Sequence, residues 1–191
     1  GGKERVRLAS AGGELERDWR RLHAAADVLL FDPPAADEPD HGILESLLAA
    51  GAGSRFGGGK LLHPLEDGLA IAAHAARNLI AAGLEVVAVV RPGDFPMYDL
   101  LEQEGCQVTI CADAARGMGV SLGHGVAMSK DAGGWIVALA DMPRIKPDTI
   151  ARVVQALAAG AEIAAPEYQG DRGHPVGFSK RFRHDLQGLI G

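Results

Sequence analysis

Cysteine is scarce in this chain: its 191 residues include two, Cys106 and Cys111. Both sit in CQVTIC, which alternates like a strand, and an odd separation along a strand puts side chains on opposite faces. The two thiols are therefore not expected to pair. A metal site built on cysteine would need more of them at closer spacing, so both read as structural. Long apolar runs are missing too, since every one breaks well before the roughly 18 residues that span a bilayer. No block of lysine and arginine is long enough for a nucleic-acid footprint, and the net charge is −6. An anionic ligand must then be met by a few local cations or by a metal. The first ten residues, GGKERVRLAS, are charged and lack the apolar centre of a signal peptide. The expectation is a cytoplasmic protein with neither membrane nor nucleic acid as partner.

What is present is a globular composition, 47% hydrophobic and 23% charged, at a length that fits one domain with a substantial core. From Ile43 onward short β-branched runs alternate with helical patterns. Ile43 to Leu48 reads as a strand running into a glycine loop. LAIAAHAARNLIAAG reads as a helix stopped by Gly83. EVVAVV is a continuous apolar strand of the kind buried on both faces, and a turn at RPGD leads through a short helix to a strand at Gln107 to Cys111. GMGVSLGHGVAMSK is a loop feeding a helix, with Ser121 placed for a ligand or for the helix cap. WIVALADMP is a second buried strand with an acid, Asp141, at its end. KPDTIARVVQALAAG has Pro147 in its first turn and Ile150, Val153, Val154 and Leu157 on one face. EIAAP, a turn and strand in YQGDRGHPVGF, and a last helix with Phe182, Leu186 and Leu189 inward complete the order.

This alternation predicts an α/β fold, a mostly parallel sheet with helices on both faces in three layers. Ligands in such sheets lie outside the carboxyl ends of the strands. The glycine loop, the end of WIVALAD and the Gly117 loop all fall on that edge. Residues 1–41 fit the pattern less clearly: GELERDWRRLHAAADVLLFD allows one helix and one strand, and PPAADEPD reads as an acidic, proline-rich linker. They are expected to be an extension or the tail of a preceding domain, with the main domain spanning 42–191.

The loop LLAAGAGSRFGGGK, positions 47–60, carries five glycines, Arg55 and Lys60. A dinucleotide fingerprint would need glycine where Phe56 stands. A P-loop would need its first glycine at Ser54 and a hydroxyl residue at Leu61. Backbone N–H groups without side-chain bulk, beside two cations, still make a phosphate cradle.

The loop resembles the signature of the nucleotidyltransferases that complete the molybdenum cofactor, in the pattern L-A-A-G-x-G-x-R-[FM]-G-G-x-K. Its Ala49-Ala50-Gly51 is similar to the cytidylyltransferase branch of this guanylyltransferase-like family, whose other branch usually has a second glycine there. KLLHPLEDG, GMGVSLGHGV, ALADMP and GDRGHPVGF continue the resemblance across positions 43–190. The family pattern continues with a Gly-Asp-x-Gly-Ala-like turn beyond the last residue here.

The resemblance implies a Rossmann-like fold of the nucleotide-diphospho-sugar transferase type and transfer of CMP from CTP to the phosphate of molybdopterin, with release of pyrophosphate. It implies nucleotide contacts from Leu48, Ala49, Ala50, Gly51, Gly53, Arg55, Lys60 and Ser121. Arg172, His174 and Pro175 would face the pterin, and Asp141 would hold Mg²⁺. Arg55, Lys60 and Asp141 carry the catalytic roles, as two phosphate-binding cations and a metal ligand. No general base is required, because the attacking phosphate is ionised at neutral pH. A molybdenum hydroxylase is the implied acceptor of the product. Two alternatives stand: a related transferase with another nucleotide or acceptor, and a carrier that binds the pterin without turnover.

Overall fold

The computed structural model describes the backbone of residues 5–9 and 28–29, and residues 59–129, 131–169 and 171–190 in full. The expected strand Ile43 to Leu48 and the loop residues Leu48, Ala49, Ala50, Gly51, Gly53 and Arg55 lie outside the described residues. Eight strands are described: β1 (Arg5–Ala9), β2 (Val28–Leu29), β3 (Val87–Val90), β4 (Gln107–Ile110), β5 (Gly134–Leu139), β6 (Ile163–Tyr168), β7 (Asp171–Arg172) and β8 (Val176–Ser179). The helices are α1 (Ile71–Ala81), α2 (Phe95–Gln103), α3 (Met118–Met128), α4 (Pro147–Ala158) and α5 (Arg183–Gln187).

The mixed α/β character agrees with the sequence, but the sheet is less parallel than the alternation suggests. Among the described ladders only β3 with β4 is parallel. The other sheet runs β1-β6-β8-β5-β2, with β7 on β6, and each of its pairs is antiparallel. The physical reason is an inserted strand. β5 and β6 are joined by the crossover helix α4 and both run antiparallel to β8, so they are parallel to each other. β8 returns from β6 after a short turn and takes the place between them. A helical crossover sets the direction of the strands it joins; it does not keep a later strand from entering the gap. Near the N-terminus, β1 pairs with β6 along its whole length, Arg5 opposite Glu167 through Ala9 opposite Ile163.

Side-chain alternation divides the core. Ala88 and Val90 of β3 and Ile136 and Ala138 of β5 pack with α1, α2 and α4 on one face. Val87, Val89, Trp135, Val137 and Leu139 pack with Leu122 and Val126 of α3 and with Phe182 and Leu186 on the other. Cys106 belongs to the first cluster and Cys111 to the second, both as free thiols, as their odd separation requires. Burial pushes the Cys106 thiol up to about 12, so it is inert as a nucleophile at neutral pH.

The helix ends follow local chemistry. Gly83, at φ 87°, follows the cap of α1 and takes the left-handed turn that side chains resist. Pro147 opens α4 at a position whose N–H would have no helical partner. Gly123 in α3 lets α5 come close: a methyl group there would meet the carbonyl oxygens of Leu186 and Gln187 at 3.1 Å. Among the described residues, no helix is long and apolar enough to cross a membrane.

Candidate active site

β5 is buried throughout and ends at Leu139, and Asp141 stands in the turn just beyond it. That turn is fixed from two sides. The Met142 N–H donates to the Leu139 carbonyl at 3.1 Å, and Asn78 of α1 donates through Nδ2 to the Pro143 carbonyl at 2.9 Å. Asn78 was not singled out from the sequence. Its signal was an amide in an otherwise alanine-rich helix, which becomes meaningful only once α1 is packed beside the turn.

Lys60 opens a 3-10 turn, Lys60–Leu62, directly after Gly59 at φ 82°. Its ammonium donates to Asp141 Oδ2 at 2.8 Å, across 81 positions of sequence. The lysine side chain is 36% exposed and the aspartate 15%. Asp141 Oδ1 is buried with no hydrogen-bond partner. One carboxylate oxygen therefore meets a cation and the other is open, and neither caps the turn before Pro143.

The segment Arg172, Gly173, His174, Pro175 arrives at the same end of the sheet because of strand direction. Val176 at the start of β8 lies opposite Val137 of β5, so the residues before Val176 run out past the carboxyl end of β5. Gly173 is tied to β6 by its N–H donating to the Pro166 carbonyl at 2.8 Å, and the His174–Pro175 peptide is cis. His174 is half-buried, and its Nε2 is buried and lacks a hydrogen-bond partner. Burial first and then the Arg172 charge lower its pKa, the Asp141 charge works in the opposite direction, and the result is about 4. At neutral pH His174 is therefore uncharged. It offers one N–H and one lone pair, not a cation.

α3 begins on this edge as well, seven residues after Cys111. Gly117, at φ 137°, is its N-cap. Ser121 is buried one turn inside the helix, so it is not the cap. His124 accepts or donates at 3.0 Å with Thr109 of β4, and burial lowers its pKa. His74 pairs with Asp67 on the surface at 3.0 Å. These contacts tie the two histidines to the frame of the fold.

The structure thus brings Lys60, Asp141, Arg172 and His174 to one end of one sheet. Among the described residues no three His, Cys, Asp or Glu side chains form a metal-binding group. A single carboxylate with a bare buried oxygen does fit a Mg²⁺ ion that takes its other ligands from phosphates and water. It does not fit a cage made wholly of protein.

The sequence pattern of the MobA-like NTP transferase domain matches residues 46–191. The chain is 30% identical over 159 residues to the purine catabolism protein PucB of Bacillus subtilis (strain 168), spanning 78% of this chain and 76% of that protein. The crystal structure of Rv0371c from Mycobacterium tuberculosis H37Rv is similar at a TM-score of 0.65 and 27% identity, over 76% of this chain and 74% of that one. A manganese complex of the same mycobacterial protein aligns at a TM-score of 0.57 and 24% identity, over 69% and 70% of the two chains. At that identity the likeness concerns the fold.

Proposed function

Because the chain belongs to the MobA-like NTP transferase family and is a nucleotidyltransferase, we propose that it transfers CMP from CTP to the phosphate of molybdopterin. In this reaction a phosphate oxygen of the pterin attacks the α-phosphorus of CTP. A new P–O bond forms, the bond to the bridging β-oxygen breaks, and pyrophosphate leaves with the electron pair. No proton needs to move, since the attacking phosphate is already ionised. The demand on the protein is to bring two polyanions together and to balance the charge that grows on the α-oxygens and the leaving group.

The observation that carries this reading is the 2.8 Å pair of Lys60 and Asp141 beside the bare Asp141 Oδ1. The last residue of the signature loop and the strand-end acid, remote in sequence, meet where a triphosphate and a metal would both be needed. Lys60 suits a point charge at the α-phosphate, and Arg55 a bidentate hold on the β and γ oxygens. Asp141 would hold Mg²⁺, which when bound supplies charge neutralisation between phosphate oxygens. Leu48, Ala49, Ala50, Gly51, Gly53 and Ser121 complete the nucleotide contacts. Neutral, half-buried His174 suits hydrogen bonding to a pterin heteroatom, with Pro175 beside it and Arg172 supplying charge toward the pterin phosphate. The purine catabolism in the name of the Bacillus relative suits a molybdenum hydroxylase as the enzyme that receives the product.

The test is a side-by-side assay of pyrophosphate release from CTP and GTP with the same molybdopterin acceptor. Ala50 carries a methyl group where the guanylyl branch usually has glycine, and a purine needs more space there than a pyrimidine does. The expected preference for CTP in kcat/KM is ~10–200-fold, the scale of one methylene-sized steric difference. Equal or better use of GTP removes the cytidylyl assignment and leaves nucleotidyl transfer standing. Pterin binding without any pyrophosphate release favours the carrier.

A further inference from the structure

We propose that Lys60 and a divalent cation exchange for the Asp141 carboxylate, so that the lysine holds the acid until nucleotide and metal arrive together. The inference rests on the reading of Asp141 as the metal ligand and adds an order to how its site is filled. A buried carboxylate left without a countercharge is costly, and Asp141 is mostly withdrawn from solvent. Lys60 supplies that countercharge through Oδ2 at 2.8 Å.

The arrangement is asymmetric in two ways. Asp141 is fixed in a turn held by Asn78 and by the Met142 N–H, whereas Lys60 is a flexible side chain with over a third of its surface in water. When one partner moves, it is the lysine. In addition, only one carboxylate oxygen is engaged, and Oδ1 is bare. A cation arriving at Oδ1 would sit within a few ångströms of the Lys60 ammonium, where like charges oppose each other. The cation alone therefore binds weakly. A triphosphate changes the balance by offering the ammonium another anion. Lysine transfers to phosphate, the carboxylate is released to the cation, and each ligand strengthens the binding of the other by the same factor. One lysine thus serves the empty site as a counter-ion and the filled site as a phosphate ligand.

The test is Mn²⁺ binding to the chain without nucleotide, read from the loss of the free-ion electron paramagnetic resonance signal. Lys60→Met is expected to bind Mn²⁺ about tenfold more tightly than the parent, within the usual range of coupling between two sites. Lys60→Gln should do the same and gives the answer if the methionine variant does not fold, with circular dichroism checking each. Unchanged or weaker Mn²⁺ binding in the folded neutral variants overturns the exchange. Asp141→Asn separates this outcome from a failure of the metal-site reading. If it binds Mn²⁺ as the parent does, Asp141 is not the ligand and both ideas fall. If it loses the ion while the Lys60 variants show no gain, only the exchange falls.

Discussion

The two ends of β5 are finished in different ways. At the amino end the Trp135 ring is fully buried, and the Arg183 guanidinium lies 5.0 Å from its centroid. Arg183 also donates to the Ala132 carbonyl at 3.4 Å. Phe178 and Phe182 meet edge to face at 6.1 Å beside it. The charged group there covers an aromatic surface, which is packing by a cation–π contact. The Trp135 N–H lacks a hydrogen-bond partner, but it is a lone donor among apolar neighbours. At the carboxyl end an acid, a lysine, an arginine and a neutral histidine gather, and two of them keep a buried atom without a partner. Stability alone gives no reason to collect such groups, since each unpaired buried polar atom costs about 1–3 kcal/mol. The contrast teaches that the amino end closes the fold while the carboxyl end leaves buried polar atoms open, as the proposed ligand site requires.

Substitutions should respect that division, and the largest effect is expected at Lys60. Lys60→Ala should lower turnover by roughly 10²–10³-fold, the scale of losing one preorganised charge partner in the transition state. CTP affinity, measured by calorimetry, should change much less. Near-normal turnover would remove Lys60 from the reacting centre and erase the contrast.

The second test uses His174, the carboxyl-end group with the largest cost of ionisation. Its pKa is about 4 in the folded chain, against about 6.5 when unfolded. Above pH 6.5 neither state binds the proton, and stability is unaffected. As pH falls from 6.5 toward 4, the unfolded chain takes up the proton first and stability is lost, by up to about 3 kcal/mol. Urea unfolding across that window should show the loss, and His174→Gln should flatten it. An unchanged slope in that variant would mean that another group is responsible.

In the wall between the two ends, Gly177→Ala should show the opposite signature from Lys60. A methyl group there would meet Leu157 Cδ1 at 2.8 Å and Val153 Cγ1 at 2.9 Å. The expected loss is about 1–3 kcal/mol of stability from overpacking. Activity per folded molecule should be unchanged when the melting temperature and kcat are measured on the same sample. The smallest effect is expected for Asn78→Ala, which removes one partly buried hydrogen bond to the Asp141 turn. About 1 kcal/mol of stability should go, together with a modest rise in the Mg²⁺ needed for half-maximal rate. A stability loss with no change in metal requirement would make Asn78 a frame residue only.

Much of this organisation was legible from residue order. The helix over LAIAAHAARNLIAA was readable because alanine-rich periodicity and a terminal glycine are local signals, and α1 with Gly83 matches it. The opposite placement of Cys106 and Cys111 followed from the two-residue period of a strand. Ser121 was less readable: a glycine-rich run gives no sharp helix start, and the cap fell on Gly117, leaving Ser121 inside. The sense of the sheet is less legible for a related reason. Alternating strands and helices reveal crossovers, whereas the insertion of β8 between β5 and β6 depends on hydrogen-bond partners that no local pattern encodes.

By itself the sequence determined which segments are strands and helices, which of their faces turn inward, and which chemical groups stand at strand ends. Those properties depend on side-chain periodicity and turn chemistry within a few residues. Only the tertiary structure decided that Lys60 grips Asp141, that Arg172 and His174 arrive beside them, and that Asn78 holds the turn. Each of those depends on strands and helices far apart in sequence coming to one edge. His174 shows the physical reason most plainly: as a residue it titrates near 6.5, and burial beside Arg172 is what keeps it neutral down to about 4.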